Sequence, residues 1–344
     1  MSNYIHLDRK ILFDEETVLL SQERICRIEA FNFHWQTDLA KKPVDLLKEL
    51  KQLSTIASVG SSTRIEGSSL SDEEVLGYYE ALSLVFESYD TFALRESSIK
   101  QLHGILLKYS SQDTRPKGDY KHLTNKVVVK YPDGTSKVIF NTTEPHLTAK
   151  EMSELVAWTN EKLSDTNFHQ LVIVAIFIYE FLSIHPFQEG NGRLSCILTN
   201  LLLMRAGYNF VQYISLEKII EERKKYYYQY LMHGQKNRYS EEEDIDLWII
   251  FFLDCIELAI ERLKNNSKKV IGVKQWVAIG LNDRQQKILD FIASQKTLRM
   301  KDLVAKFTEI PRSTMSLDLE LLVEKEFISR NGRGRGTWYQ VRSY

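Results

Sequence analysis

Cysteine is scarce in this sequence: only Cys26, Cys196 and Cys255 occur among its 344 residues, far apart from one another. An odd and scattered set of cysteines predicts neither a disulfide framework nor a cysteine metal cluster. Such usage fits a protein of the reducing cytoplasm, which is the localisation we expect.

The chain also lacks an excess of either charge and any long apolar run. Lys and Arg number 45 and Asp and Glu 46, so the net charge of −1 favours neither a nucleic-acid-binding nor a membrane-surface protein as a whole. The first ten residues contain no apolar signal core. The two most apolar segments, 171–184 and 247–260, contain acidic residues and are too short to span a bilayer. Both are predicted to be buried helices.

One stretch, from His185 to Arg193, concentrates chemistry between an apolar run and an amphipathic one. It puts an imidazole, a carboxylate, a Gly-Asn-Gly turn and a guanidinium within nine residues. Glycine and asparagine accept positive φ, so residues 190–192 can curl their N–H groups into a nest for an anion. The apolar residues that follow recur at helical spacing, which predicts a helix N-terminus at the same point. Both features favour phosphate.

The side chains of this stretch suit phosphate chemistry. His185 is its only group that titrates near neutral pH, and it is the predicted proton acceptor for an attacking hydroxyl. Glu189 beside a polyphosphate suits Mg²⁺, which takes one or two carboxylates plus phosphate oxygens. The predicted phosphate ligands are Gly190, Asn191, Gly192 and Arg193.

The same stretch resembles the signature of the Fic (filamentation induced by cAMP) family, His-x-Phe-x-(Asp/Glu)-Gly-Asn-Gly-Arg-x-x-Arg. The match runs from His185 to Arg193, and Cys196 stands where the signature ends in Arg. Enzymes of this family typically transfer AMP from ATP to a hydroxyl side chain of a target protein. The resemblance implies the same reaction here, with ATP as substrate and Mg²⁺ as cofactor, on a mainly α-helical Fic-type bundle.

A second motif lies upstream, where Ser62, Glu66 and Gly67 match the inhibitory-helix pattern of Fic proteins, (Ser/Thr)-x-x-x-Glu-(Gly/Asn). The resemblance implies that Glu66 pairs with the last Arg of the signature and blocks the γ-phosphate. Cys196 removes that partner. A charge-assisted pair contributes roughly 1.5–3 kcal/mol, so its absence predicts altered inhibition and weaker γ-phosphate binding, or a different base as partner. From the residues alone, the stretch is a helix end followed by a new N-cap.

From Lys126 the pattern changes to β-branched runs on both sides of Asp133-Gly134, which predicts a β-hairpin. A lone hairpin exposes strand edges that invite pairing. In Fic enzymes the equivalent hairpin, the flap, aligns the target protein by strand addition, so residues 127–140 are the implied docking segment. A purely structural hairpin is the alternative. The residues implied to lie nearest ATP are Ile139, Phe140, Asn141 and Thr142.

Four tyrosines lie within residues 226–230. Aromatic faces stack on bases at about 1–3 kcal/mol each, and the family places a Tyr-Tyr pair near the adenine. Tyr227 and Tyr228 align best with that pair, whereas Gln235 stands where family members often carry Asn. Half-buried packing is the alternative role for these tyrosines.

From Leu281 three helical segments and two short strands around a Gly-Arg-Gly-Arg-Gly turn resemble a winged helix. Residues 281–344 hold 12 Lys or Arg and 8 Asp or Glu, a net charge of +4 that is compatible with DNA backbone contact. The third helix is acidic, with Asp318 among its charges, so a protein contact or a homodimer is an equal alternative. The predicted organisation is a helical region over 1–94 with the inhibitory helix near 58–70, a Fic core over 95–265, a linker over 266–280 and a winged helix over 281–344.

We therefore predict a Fic-type adenylyltransferase that is autoinhibited through Glu66 and acts by in-line attack of a target hydroxyl on the α-phosphate of ATP. Two alternatives stay open. One is a DNA-binding regulator that uses the winged helix and carries a degenerate Fic domain. The other is a related enzyme that removes AMP or transfers another phosphate-containing group.

Overall fold

A computed structural model describes residues 4–39, 42, 44–66, 72–110, 117–130, 136–277, 281–295, 297–332 and 334–341. The chain forms two compact units, 1–267 and 268–344. The predicted N-terminal helical region over 1–94 and the predicted Fic core over 95–265 both lie in unit 1.

Unit 1 is built from helices and one hairpin, and its last helix continues past residue 267. The described elements are α1 Ile5–Asp8, α2 Glu15–Leu39, α3 Val44–Glu66, α4 Asp72–Ser88, α5 Glu96–Leu106, β1 Lys126–Lys130, β2 Ser136–Asn141, α6 Pro145–Ser164, α7 Gln170–Ile184, α8 Asn191–Arg205, α9 Leu216–Glu222, α10 Lys224–Gln235 and α11 Asp246–Val277. The prediction of a mainly α fold with one hairpin is confirmed.

Helix α7 is the buried core helix of unit 1. Every residue from Leu171 to Ile184 is buried, because the run is apolar nearly all round. The helix packs against α6 and α8, and Trp248 of α11 donates its indole N–H to the carbonyl oxygen of Ala175 (2.8 Å). The prediction of buried helices is confirmed, since over 247–260 the apolar side chains that reach solvent freely are Leu247 and Leu258.

The acidic residue of α7 is neutralised inside unit 1. Glu180 Oε1 lies 3.1 Å from Lys10 Nζ, and its Oε2 lies 2.9 Å from Arg238 Nη2. Burial alone would raise the pKa of Glu180, but Arg238 and Lys10 outweigh that effect and hold the pKa at about 2. One buried ion network therefore joins the N-terminal segment, α7 and the turn that follows α10.

A second buried carboxylate fixes α3 beside α8. Ser58 of α3 and Tyr78 of α4 donate hydrogen bonds to Glu217 of α9 (2.7 and 2.9 Å), and Asn200 of α8 donates a third (3.2 Å). A buried carboxylate is costly unless it is hydrogen-bonded. The four helices must therefore keep this arrangement, which holds the C-terminal part of α3 against α8.

The hairpin is antiparallel, with Lys126 opposite Asn141 and Val127 opposite Phe140. Its register shifts after Val127, which marks a bulge. The two strands confirm the hairpin prediction, while the predicted Asp133-Gly134 turn lies outside the described residues.

Unit 2 contains three helices and a three-stranded antiparallel sheet. Its elements are α12 Asp283–Ala293, β3 Leu298–Arg299, α13 Met300–Lys306, α14 Arg312–Glu324, β4 Ile328–Asn331 and β5 Trp338–Val341, and the strand order is β3-β5-β4. The two predicted strands correspond to β4 and β5, whereas the two residues of β3 are too short for a periodic pattern. The winged-helix assignment stays a prediction.

One acidic residue of α14 is not a surface charge. Asp318 is buried and accepts hydrogen bonds from Arg284 Nε (2.7 Å) and Gln285 Nε2 (2.9 Å). Burial opposes its ionisation, but these two residues outweigh burial and lower the pKa of Asp318. Its negative charge is therefore balanced within unit 2.

Most of the predicted linker over 266–280 is helical, because α11 continues to Val277. The division between the two units, after Ser267, falls within this segment, and its role as a linker stays a prediction. A polar stretch is also compatible with a solvated helix, and no proline interrupts residues 246–277. Among the described residues, no helix combines the length and the apolar character needed to cross a bilayer.

Candidate active site

The end of helix α7 sets the position of His185. The helix ends there because His185 adopts a left-handed conformation (φ 52°, ψ 60°), although its N–H still bonds the carbonyl oxygen of Phe181 (2.9 Å). Such a conformation is uncommon for a residue with a Cβ and persists only where surrounding contacts enforce it. The helical path of the chain therefore ends at this residue.

The ring of His185 has a defined tautomer. Its Nδ1 lies 3.3 Å from the carbonyl oxygen of Leu182. A carbonyl oxygen can only accept, so Nδ1 carries the hydrogen and, in the neutral ring, Nε2 presents a lone pair. Burial lowers the pKa of His185 to about 4, although the bond to Leu182 acts in the opposite direction, and the ammonium of Lys121 lowers it further. The imidazole is therefore neutral at physiological pH.

The Gly-Asn-Gly segment closes the loop and opens α8. Gly190 has φ 77° and occupies the N-cap of a helix that begins at Asn191. The Asn191 side chain accepts from the N–H of Phe187 (2.9 Å) and donates to its carbonyl oxygen (2.7 Å). This side chain is committed to the loop, so a ligand would meet Asn191 and Gly192 through backbone N–H groups, which lack intrahelical acceptors in a first turn.

A histidine from α5 contacts and stabilises the same loop. His103 stacks on Phe187 with 3.8 Å between the ring centroids and an angle of 10°. Its Nδ1 accepts from the N–H of Gly118 (3.0 Å), so Nε2 is the donor to the carbonyl oxygen of Glu189 (3.0 Å). The ring therefore has a structural role, and Phe187 anchors the loop in the core.

The two charged signature residues differ in exposure. The side chain of Glu189 is 38% exposed and that of Arg193 is 1% exposed, with 3.7 Å between Oε1 and Nη2. A second carboxylate, Glu74 of α4, lies 3.6 Å from Arg193 Nη1. The carboxylate of Glu189 can reach a cation in solvent, whereas the guanidinium of Arg193 meets a ligand only if this acidic environment is rearranged.

The predicted nucleotide residues of the hairpin lie at one cavity. Phe140, Asn141 and Thr142 line an open cavity of about 490 Å³ together with Gln235 and Arg238 from α10 and the turn after it. Thr142 is buried, and its hydroxyl donates to the carbonyl oxygen of Asn125 (3.0 Å). The side chain of Ile139 lies outside the described residues.

The predicted tyrosine pair lies at a different place. Tyr227 is buried and contacts Trp248, with 5.7 Å between ring centroids. It lines a small apolar pocket of about 30 Å³ that also touches Gly192 and Cys196 of α8. Tyr228 donates its hydroxyl to the carbonyl oxygen of Ile65 (3.0 Å). The structure thus separates the hairpin residues from the tyrosines, which pack against the helices that surround the signature.

The upstream motif lies beside the signature. Ser62 and Ile65 of α3 line the same apolar pocket as Cys196. Ser62 is buried, and its hydroxyl donates to the carbonyl oxygen of Val59 (3.0 Å). Glu66 is the last residue of α3; its side chain and the whole of Gly67 lie outside the described residues. The end of α3 is therefore close to the first turns of α8.

Two residues missed by sequence reasoning contact the signature loop directly. Lys121 and Asn125, which precede β1, bond backbone carbonyls on both sides of His185. A polar residue before a β-branched run normally indicates only a turn, so neither residue carried a sequence signal. Their partners lie about 60 positions away in the chain and become visible only in the fold.

Comparison with known proteins agrees with this geometry. The sequence model of the Fic/DOC family matches residues 93–203, which include the hairpin and the signature but neither Ser62 nor Tyr227. Over 111 residues the chain is 36% identical to "Protein adenylyltransferase Fic" of Aedes aegypti, and over 110 residues it is 34% identical to the Drosophila melanogaster protein of that name. Each alignment covers 32% of this chain, and the chain spans only 19–20% of the length of these relatives.

Solved structures share the fold over a longer range. A Fic family protein from Desulfovibrio desulfuricans has a TM-score of 0.57 and 19% identity, with 97% of this chain and 98% of that protein covered. Fic-1 (residues 134–508) from C. elegans has a TM-score of 0.57 and 17% identity, with 74% of each chain covered. Residues 93–203 therefore carry a Fic/DOC family match, and the chain shares its fold with solved Fic family structures.

Proposed function

We propose that this protein transfers AMP from ATP to a hydroxyl side chain of another protein. The observation that carries the proposal is the state of His185, whose Nδ1–H is held by Leu182 so that Nε2 has a free lone pair. The relatives named as protein adenylyltransferases support the reaction class.

The proposed reaction is an in-line displacement. Nε2 of His185 accepts the proton of the target hydroxyl, and the hydroxyl oxygen forms a bond to the α-phosphorus of ATP. The bond from that phosphorus to the bridging oxygen breaks, and pyrophosphate leaves. The N–H groups at Gly190, Asn191 and Gly192, with the positive end of the α8 dipole, favour the negative charge of the phosphates. The low pKa of His185 keeps the base unprotonated at neutral pH.

Glu189 is the residue that fits a magnesium ion. Its carboxylate is partly exposed at the start of the phosphate loop, and Mg²⁺ takes one or two carboxylates together with phosphate oxygens. Bound Mg²⁺ would neutralise phosphate charge. The described residues contain no group of three or more acidic, histidine or cysteine side chains that could hold a metal ion, so the proposed site depends on the nucleotide to complete it.

Regulation through the end of α3 is part of the proposal. Ser62 and Ile65 lie at the pocket of Cys196, which supports a role for the neighbouring Glu66 as inhibitor. Because Cys196 cannot form an ion pair, we propose that Glu66 inhibits chiefly by repelling the triphosphate or by pairing with another base. Replacement of Glu66 by Gly should therefore raise activity, by at most about 10- to 150-fold if one charge-assisted contact is lost.

Labelled ATP tests the proposal. Wild-type protein, Glu66→Gly and the double variant Glu66→Gly/His185→Ala are incubated with ATP labelled in the α-phosphate and candidate target proteins. We expect label on protein for Glu66→Gly and its loss in the double variant. If neither wild type nor Glu66→Gly labels protein, AMP transfer is excluded. Loss of AMP from a pre-modified protein would identify the alternative enzyme that removes AMP.

A second candidate, DNA binding by unit 2, has one observation in its favour. Asp318 is balanced by Arg284, so the acidic character of α14 is smaller than the sequence indicates. DNA binding that weakens with salt and survives His185→Ala would support this function.

A further inference from the structure

The loop that carries His185 is held by residues that lie just before the first strand and just after the second strand of the hairpin. Lys121 and Asn125 precede β1, and Thr142 follows β2. Four consecutive carbonyl oxygens of the loop, from Ile184 to Phe187, accept hydrogen bonds from the first two of these residues.

The bonds of Lys121 are the strongest of the set. Lys121 is 4% exposed, and its ammonium donates to the carbonyl oxygen of Ile184 (2.9 Å), to the Thr142 hydroxyl (2.8 Å) and to Asn125 Oδ1 (2.9 Å). Its backbone N–H donates to the carbonyl oxygen of Pro186 (2.8 Å). All three ammonium hydrogens thus have acceptors, and bonds from a charged donor are about twice as strong as neutral ones.

The other two residues complete the connection. Asn125 Nδ2 reaches the carbonyl oxygens of His185 (3.3 Å) and Phe187 (2.8 Å). The Thr142 hydroxyl has the carbonyl oxygen (3.0 Å) and the side-chain oxygen of Asn125 as its acceptors. Both strands of the hairpin therefore connect to the backbone on either side of His185.

This arrangement explains how an unfavourable backbone conformation persists. His185 has φ 52°, and the carbonyl oxygens before, at and after it are fixed by Lys121 and Asn125. A buried ammonium without a carboxylate in direct contact is costly, and burial lowers the pKa of Lys121 to about 8. A neutral side chain could fill this position without the desolvation free energy of a buried ammonium. We therefore expect the charge of Lys121 to have a role beyond packing.

We propose that Lys121 is a positioning residue: with Asn125 and Thr142 it couples the hairpin to the loop and holds the imidazole of His185 in its reactive position and tautomer. A target strand that pairs with the hairpin would then also stabilise the placement of the base. The inference rests on the proposed function, because that function names His185 as the base.

The test compares two lysines that both donate to backbone carbonyls. Lys121→Met removes the buried ammonium and keeps most of the side-chain length. Lys117→Met is the control, since Lys117 donates to the carbonyl oxygens of Lys108 (3.0 Å) and Ser110 (3.1 Å), both of which lie outside the loop of His185. Asn125→Leu breaks the connection independently. Thermal unfolding and calorimetric ATP binding establish that each variant is folded.

Two readouts separate positioning from a general structural role. In Lys121→Met and Asn125→Leu, kcat for AMP transfer should fall on the order of 10- to 100-fold, while KM for ATP stays within about threefold. ¹⁵N spectra of the imidazole in the free protein should show the Nδ1–H tautomer in wild type and Lys117→Met, and a mixture in the other two variants.

The spectra also separate this inference from the proposed function. If wild type transfers no AMP but the tautomer depends on Lys121, the proposed function fails and the coupling stands. Folded Lys121→Met and Asn125→Leu proteins that both keep the wild-type kcat and tautomer would overturn the inference. A higher KM at unchanged kcat would overturn it as well, because the cluster would then serve nucleotide binding.

Discussion

At the scale of single residues, His185 depends on its surroundings for both of its chemical properties. The carbonyl oxygen of Leu182 selects the tautomer, and burial sets the protonation state. An exposed histidine with an ordinary pKa near 6.5 would be partly protonated at neutral pH. The position at the end of a buried helix therefore makes an ordinary imidazole a base that stays neutral.

The pH dependence of activity should reflect this environment. Because the pKa of His185 in the free folded protein is about 4, the acid limb of kcat/KM should lie near that value, and kcat/KM should be flat from about pH 5.5 to 7.5. The folding stability should fall over the same pH range. Below about pH 6.5 the unfolded chain binds a proton at His185 more readily than the folded protein does, so the free energy of unfolding decreases as the pH drops toward 4. Rates measured in buffers with overlapping pH ranges locate the acid limb of the pH profile, and a midpoint near pH 6.5 would contradict the prediction.

At the scale of elements, the junction between α7 and α8 is a short loop in which most backbone carbonyl oxygens accept a hydrogen bond. Asn191 closes it from within, His103 supports it from α5, and Lys121 holds it from the hairpin side. Two residues with positive φ, His185 and Gly190, mark the ends of the loop. Glycine is required at the second position because α8 has to begin there.

Gly190→Ala should test the need for that conformation. An alanine Cβ would meet only ordinary contacts, the nearest being Leu106 Cδ2 at 3.4 Å, so the cost comes from φ 77° and should be about 1–2 kcal/mol in unfolding free energy. Gly104→Ala in α5 is the matched control, because an added Cβ there has no atom within 4 Å, and it should stabilise by about 0.5–1 kcal/mol. Urea unfolding measures both values, and equal effects would refute the argument.

At the scale of the whole molecule, unit 1 depends on buried charges as well as on its apolar core. Lys10, Glu180 and Arg238 come from three distant parts of the sequence and meet beside the central helix. Unit 2 has its own core, built around Ile288, Leu303 and Leu322. Each unit therefore has its own source of stability.

Loss of the central carboxylate should destabilise unit 1 strongly. Glu180→Ala removes the carboxylate that Lys10 and Arg238 share, and it should cost about 3 kcal/mol, the lower end of the range for a broken buried pair, because Lys10 keeps Glu243 (2.6 Å) and Arg238 keeps Glu151 (3.0 Å). Glu23→Ala removes a partner from the exposed pair with Arg27 and should change stability by less than about 1 kcal/mol. Calorimetric unfolding compares the two, and a small effect of Glu180→Ala would mean that solvent or other groups replace the carboxylate.

Local pattern predicted much of this molecule because the relevant interactions are close in sequence. The apolar run at 171–184 had to be a buried helix, the β-branched runs had to pair, and the nine residues from His185 had to form a turn followed by a helix. The helical conformation of residues 266–277 was not predicted, because polar composition fits a helix as well as a loop. The role of Asp318 was also hidden, since its partner Arg284 lies in another helix.

The sequence by itself determined the helical class, the hairpin and the identity of the signature residues, because periodicity, turn chemistry and motif spacing act over a few residues. Only the tertiary structure decided the state of those residues: the tautomer and pKa of His185, the burial of Arg193 beside Glu74, and the link from Lys121 to the loop. Those properties arise from desolvation and from contacts between distant segments, and neither is fixed until the chain has folded.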